Sequence, residues 1–220
     1  WVRFDWSQIE YRLLVHYARG GGADGARAQY RDDPTTDFHR MVSAMTGIDR
    51  KPAKNINFGL VYGMGVKKMA ASLGRSEEAT RALFEQYHKT LPFVKETFDA
   101  ASQMSAQRGY TRTLLGRRRR FELWEPRQWG KDAEACGKEA AVAAWGNSIR
   151  RAYTHKALNS ILQGSAADIM KKAMVDIWQS GICNVLGAPL VTVHDELGWS
   201  AAHTREADEA LRECGRIMET

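Results

Sequence analysis

The stretch Arg50–Gly65, RKPAKNINFGLVYGMG, decides how the chain reads. As a helix it sets Arg50, Lys54, Phe58 and Tyr62 four residues apart. Each such step turns about 40°, so the four side chains fall on an arc of roughly 120°. Asp49 is placed to be the N-cap, and Pro52 falls in the first turn, where its missing N–H costs little. Arg50, Lys51 and Lys54 crowd the positive end of the helix dipole, which destabilises the end unless an anion shares it. The face therefore offers phosphate-gripping cations at one end and two rings at the other, the polarity of a nucleoside triphosphate. Taken alone, it also fits an ordinary amphipathic helix with a solvated basic end.

Composition narrows the setting. A chain of 220 residues can bury a sizeable core, as one large domain or two subdomains. The net charge of +6 is accompanied by seven Trp, seven Tyr and seven Phe, which favours nucleic acid over an acidic protein as partner. Cys136, Cys183 and Cys214 are odd in number and widely spaced, pointing to a reducing compartment and away from a zinc site. No apolar run is long enough to span a bilayer and no signal peptide opens the chain, so no membrane partner is expected. Trp1 already reads as strand, so the sequence is expected to be a fragment.

WVRFD predicts a short strand, with Asp5 where it gives way to a helix capped by Ser7 and striped by Ile9, Leu13, Leu14 and Tyr17. A lone Asp there also fits a turn or cap. Gly20–Gly22 breaks that helix, and a polar connection leads to a second helix near Asp37–Met45 with His39 in its first turn. An isolated His also fits a packing residue. After the organising helix come Val66–Leu73 closed by Gly74, a helix opened by Ser76 running to about Lys89, and another from Pro92 to near Gly109. Tyr110–Phe121 reads as two short extended pieces around Gly116, and Arg112 with Arg117–Arg120 could track a nucleic-acid backbone or form a solvated face. Glu122–Asn147 reads as a Trp-rich connection and an Ala-rich helix around Ala133–Trp145, with no function attached. Ser148–Ser180 reads as one long helix, with Asn159 and Gln163 one turn apart beside Gly164, able to read groove edges or serve as polar surface. Leu190–Val193 and Glu196–Ser200 read as strands of a buried hairpin, with Asp195 at its tip and His194 and Glu196 directed elsewhere. Thr204 caps a last helix to Met218.

Each of these residues has an ordinary reading; their combination is more specific. Two carboxylates at strand ends flank a helical insertion bearing a cationic and aromatic face. Phosphoryl transfer from a triphosphate needs such parts: hard oxygen ligands for Mg²⁺ and cations for the leaving phosphates.

The residues carry a close resemblance to a known family. DWSQIEYR at 5–12, RKPAKNINFGLVYG at 50–63 and VHDE at 193–196 resemble, in order, the three polymerase motifs of the family A (polymerase I type) DNA polymerases. GYTRTLLGRRR and LNSILQGSAADIMK resemble its intervening segments, so the resemblance covers nearly the whole chain. It implies an α+β, right-hand polymerase architecture with an incomplete antiparallel palm sheet and a large all-helical fingers insertion: palm at 1–19, fingers at 20–150 and palm again, truncated, at 151–220. Asp5 and Asp195 would be the catalytic, metal-binding carboxylates, with the Trp6 carbonyl a further metal ligand and Glu196 in support; two Mg²⁺ ions are implied, with Mn²⁺ a possible substitute. Gln8, His39, Arg50 and Lys54 would belong to the nucleotide site, Phe58 and Tyr62 would pack on the sugar and base, and Glu10 would exclude a ribose 2′-hydroxyl. Arg12 and His194 would lie near the primer terminus or the active-site floor, with Arg112, Arg117, Arg118, Asn159 and Gln163 on DNA. The implied partners are primer-template DNA and dNTPs, and the implied location is the cytoplasm, the host's if phage-encoded; whether a processivity partner exists is not written in the sequence.

Departures from the family pattern matter. Trp6 stands where a Tyr is usual, and THKALN has His155 and Lys156 where many relatives carry an Arg one turn before the Asn. The divergent stretch Glu122–Asn147 leans toward a phage replicase. The resemblance leads to the expectation that the thumb and final palm strands lie outside this sequence and that the fragment does not polymerise alone. Two other functions fit in part: a related single-subunit RNA polymerase, which Glu10 and Phe58 disfavour, and an inactive nucleic-acid-binding relative, which Asp5, Asp195 and Lys54 disfavour.

Overall fold

A computed structural model describes residues 1–47, 49–128 and 133–219. Strand β1 (Val2–Asp5) leads into α1 (Ile9–Tyr17), α2 (Ala23–Asp32), α3 (Phe38–Thr46) and α4 (Arg50–Val61). Then come α5 (Val66–Leu73), α6 (Glu77–Thr90) and α7 (Pro92–Arg108), closed by glycines or opened by Ser76 and Pro92 as their sequences predict. The Ser76 hydroxyl accepts from the Ala79 N–H, a cap worth about 1 kcal/mol. Gly63, at φ 81°, ends α4 where a Cβ would sit 2.6 Å from Phe98 Cζ, so only glycine fits.

Short antiparallel pairs follow: β2 (Tyr110–Arg112) with β3 (Arg118–Arg120), and β4 (Trp124–Pro126) with β5 (Ile149–Arg151), the latter enclosing α8 (Lys138–Trp145). The chain ends with α9 (Ala157–Gln179), α10 (Cys183–Leu186), β6 (Val191–Val193), β7 (Glu196–Trp199) and α11 (Arg205–Glu219). Strands β1, β7 and β6 form one antiparallel sheet in that order.

Several expectations are corrected. The polar connection after Gly22 is helix α2, whose Arg27 donates to the Val15 and Ala18 carbonyls, satisfying the end of α1. Ser7 does not cap α1; the N-cap is Gln8, with φ 56° and no side-chain cap bond. Ser148–Ser180 is not one helix: β5 and a 3₁₀ turn at Thr154–Lys156 precede α9, because Ile149–Arg151 pairs with Trp124–Pro126. The insertion is therefore not all-helical, since β2, β3, β4 and β5 lie within or at its end. The Ala-rich helix is shorter than expected, and residues 129–132 of the Trp-rich connection lie outside the described residues. The hairpin β6–β7 is buried on one strand only: Leu197 and Trp199 are fully covered, whereas Val191 and Val193 are exposed. Among the described residues no helix is long and apolar enough to cross a membrane.

Two apolar clusters hold the fold. One gathers α1, α3, α4, α6, α7 and the first half of α9 around Leu14, Phe38, Tyr87, Phe93 and Leu162. The other packs β7, α10, α11 and the second half of α9 around Ile177, Leu197, Trp199 and Cys214. Helix α9 runs through both, and Trp6 packs against both. The end of β1 thus lies at the seam between two packed bodies, a common place for a ligand cleft.

Candidate active site

Sheet register brings the acidic residues together. Asp5 pairs with Glu196 across β1 and β7, while Val193 pairs with Glu196 across the hairpin, leaving His194 and Asp195 as its two loop residues. His194 has φ 53°, the left-handed conformation a two-residue hairpin loop asks for. The Trp6 N–H donates to the Asp195 carbonyl at 3.3 Å, tying the loop to the end of β1. Trp6 Nε1 donates to the Met218 carbonyl at 2.7 Å, which uses the indole as an anchor. Residues 190 positions apart in sequence thereby meet, as the strand-end reading requires.

Asp5, Trp6, Glu10, His39, Arg50, Lys54, Phe58, Gln163, His194 and Asp195 line one cavity of about 800 Å³. His194 therefore faces the same space as Asp195, contrary to the expectation that it points elsewhere; the left-handed loop redirects it. Glu196 turns to Arg3 instead, at 3.6 Å. Burial, together with the Asp5 carboxylate, pushes the Asp195 carboxyl above the usual carboxylate range, while His194 and Lys54 oppose the rise.

Helix α4 supplies the opposite wall. Asp49 is its N-cap without a side-chain bond, and the crowded cations are relieved by Asp37. The Asp37 carboxylate accepts from Arg50 Nε and Nη2 at 2.8 and 2.6 Å, and from the His39 and Arg40 N–H groups. Burial opposes its charge, but these bonds outweigh burial and hold its carboxyl below the usual range. The anion at this helix end is thus partly built in. Lys54 is exposed, and His39 is buried, its pKa pushed down to about 4 by burial, with Lys54 and Arg50 adding to the fall and Asp37 opposing it.

Phe58 sits between Tyr11 (ring centroids 5.2 Å) and Tyr62 (6.4 Å). Tyr62 itself donates its hydroxyl to Glu10 Oε2 at 2.7 Å, so it ties α4 to α1. Burial first, and then the Glu10 charge, raise its phenol, which keeps it a donor to the carboxylate. Gln8 is not free in this geometry: its Oε1 accepts from the Phe38 N–H and its Nε2 donates to the Thr36 carbonyl, pinning the start of α3. Arg12 is likewise occupied, donating to the Ser7 and Pro34 carbonyls with its guanidinium over Tyr30.

A second groove of about 300 Å³ lies between the β2–β3 hairpin and α9, lined by Arg117, Arg118, Ser160, Gln163 and Gly164 among others. Arg112 and Arg118 are exposed and both lie over the Tyr110 ring. Arg117 is instead held by buried Asp168 at 3.0 Å and by the Gly164 carbonyl, so the hairpin is braced on α9 through it. Asn159 carries a buried Oδ1 with no partner, whereas Gln163 is exposed and lines both spaces.

Sequence reasoning missed Tyr11, Asp37 and Asn57. Asp37 carried a signal, an N-cap acid two residues before His39 and thirteen before Arg50. Asn57 also carried one, a polar break between Ile56 and Phe58 on a packed helix.

Two acidic side chains facing one cavity, one of them raised by burial and then by the other's charge, are an arrangement that a hard divalent cation relieves. Among the described residues no group of three or more His, Cys, Asp and Glu closes around an ion. The donor set fits a cation of the magnesium kind, which takes one or two carboxylates and completes its shell with water and phosphate oxygens.

Comparison with known proteins identifies the family. The family model described as DNA polymerase family A matches residues 1–220. A DNA-directed DNA polymerase of Pseudomonas phage M6 is 33% identical, over 97% of this chain and 35% of its own length. The thermostable DNA polymerase I of Thermus aquaticus is 33% identical, over 99% of this chain and 24% of its own length. Among solved structures, the POL domain of Pol1 from M. smegmatis, in complex with DNA primer-template and dNTP, superposes with a TM-score of 0.73 at 28% identity, covering 98% of this chain and 36% of that one. This chain thus spans about a third or less of the length of these relatives. With its whole length matched and its acidic and cationic walls facing one cavity, the chain belongs to DNA polymerase family A.

Proposed function

We propose that the chain is the nucleotidyl-transfer part of a template-directed DNA polymerase, joining a dNTP to a primer 3′-hydroxyl. One observation carries the reading: Asp5 and Asp195 share a cavity with His39, Arg50, Lys54 and Phe58. The primer-template and dNTP bound to the M. smegmatis relative support it.

In this reading residues 1–19 and 151–220 form the palm and 20–150 the fingers. Lys54 and Arg50 neutralise the charge of the leaving phosphates, Arg50 being pre-oriented by Asp37. His39 offers an N–H to the same phosphates. Phe58, wedged between Tyr11 and Tyr62, packs on sugar and base. Glu10, held by the Tyr62 hydroxyl, stands where a ribose 2′-hydroxyl would come. Asp5, Asp195 and the Trp6 carbonyl would hold divalent cations, Mg²⁺ for preference, which when bound acidify the primer hydroxyl and stabilise the leaving oxygen. Gln163 and Asn159 read the minor groove of the duplex, and Arg112 and Arg118 follow its backbone. Gln8 and Arg12, tied to backbone carbonyls and N–H groups, brace the site rather than contact ligand.

The test is paired incorporation of dNTP and rNTP by the full-length protein. Preference for dNTP supports the reading; equal use of rNTP favours the RNA polymerase alternative. A finer expectation concerns Phe58, since in this family a Phe at that position accompanies discrimination against dideoxynucleotides. Phe58→Tyr should raise ddNTP use relative to dNTP in a chain-termination assay by about tenfold or more, the worth of one new hydrogen bond to a charged or phosphate-bearing group. Unchanged termination would show that Phe58 does not sense the sugar.

A further inference from the structure

The polar residue buried deepest in α4 has no role so far. Asn57 is 0% exposed, and its Nδ2 lies 3.2 Å from Nδ1 of His39, itself only 3% exposed. An amide NH₂ can only donate, so His39 Nδ1 must accept, and the proton of the neutral ring then resides on Nε2. The Asn57 Oδ1 has no partner. An aliphatic side chain of similar size would fill this place without leaving a buried carbonyl oxygen unpaired. The amide is thus retained for its N–H, and that N–H has His39 as its target.

We propose that Asn57 is a positioning residue that fixes His39 as the Nε2–H tautomer, so that the ring meets an anionic phosphate group as a neutral hydrogen-bond donor. The inference rests on the reading of His39 as a triphosphate contact. With Nδ1 occupied by Asn57, Nε2–H is the one polar group the ring can present to the cavity it lines. The opposite tautomer would aim a lone pair at phosphate oxygens. The ring is also held by Tyr11, edge-on at 4.6 Å, and by Phe58 at 5.8 Å, so its plane is set by packing and its proton by Asn57. The charged groups acting on it are Asp37, Lys54 and Arg50, and burial together with the two cations keeps it neutral near pH 7. Buried partners that fix a histidine tautomer in this way are well known around metal-bound imidazoles.

The experiment has two arms, both on the full-length protein. The first is ¹H–¹⁵N correlation NMR of ¹⁵N-histidine-labelled protein, with His39 assigned by its loss in His39→Gln. At pH 7 the wild type should show the neutral Nε2–H pattern. The isosteric Asn57→Asp, which only accepts, should move the proton to Nδ1 or protonate both nitrogens. A wild-type Nδ1–H pattern overturns the proposal. The second arm is steady-state dNTP incorporation. Asn57→Ala should raise KM for dNTP about tenfold, the worth of one oriented hydrogen bond to a charged group, and move kcat less. If His39→Gln raises KM and Asn57→Ala does not, the positioning role fails while the nucleotide reading stands. If neither raises KM, His39 does not hold the triphosphate, and the proposal falls with that reading.

Discussion

Asp195→Asn in the full-length protein lowers single-turnover incorporation of a matched dNTP by about 10³-fold or more. Cations gripped by Asp5 and Asp195 would contribute several kcal/mol of transition-state stabilisation, and each 1.36 kcal/mol is tenfold in rate. Asparagine keeps the size of the side chain and removes the charge. The fold should not suffer, because Asp195 is an electrostatic liability at rest: burial and the Asp5 carboxylate raise its carboxyl. A carboxyl raised on folding stabilises the chain fully below its unfolded pKa, and that contribution is lost as pH rises through the folded value. At neutral pH and without divalent cation, Asp195→Asn should therefore melt at or above the wild-type temperature while losing synthesis. Retained synthesis would remove Asp195 from the chemistry. A lowered melting temperature would show that the carboxylate serves the fold.

Lys54→Ala is the second large effect, a drop of about 30- to 100-fold in kcat/KM for dNTP. A charged hydrogen-bond donor facing a phosphate is worth roughly 1.5–3 kcal/mol, and the cavity wall offers few substitutes. His39 is held neutral, and Arg50 shares its guanidinium with Asp37. The Lys54 charge, on the α4 wall, acts on both His39 and Asp195. Lys51 is the control: exposed on α4 and outside the cavity, it is expected to change kcat/KM less than about twofold when replaced by Ala. Equal effects at the two lysines would mean a diffuse basic face in place of a seat for phosphates.

What could be read from residues alone followed from local rules. Glycines at positive φ, Ser76, Pro92 and the period-two run near Pro189 mark their elements because capping and alternation are local properties. The arc of Arg50, Lys54 and Phe58 was equally legible, being simple helical geometry. Helix α2 was missed because ADGARAQYRD is polar overall and only Ala23 is fully buried, so just Ala23, Ala26 and Tyr30 mark its inward face. Strand β5 was missed because its reason to be a strand is Trp124–Pro126, over twenty residues earlier. Reading one residue at a time does not show the tertiary partners that hold these side chains. Gln8 and Arg12 spend their donors on the backbone, and Arg117 belongs to Asp168. Asp37 and Asn57 each left a faint mark in the sequence, but their roles take shape only when α3 meets α4, where one relieves the cations and the other grips His39.

The central claim is that the hairpin carboxylates and the α4 cations form one site for template-directed nucleotidyl transfer. Its most direct test is single-nucleotide extension of a recessed primer by the full-length protein with Mg²⁺, the templating base varied in turn. The account predicts rapid addition of the matched dNTP opposite each base and little of the other three. Firm binding of the primer-template with no transfer of a matched dNTP would contradict it.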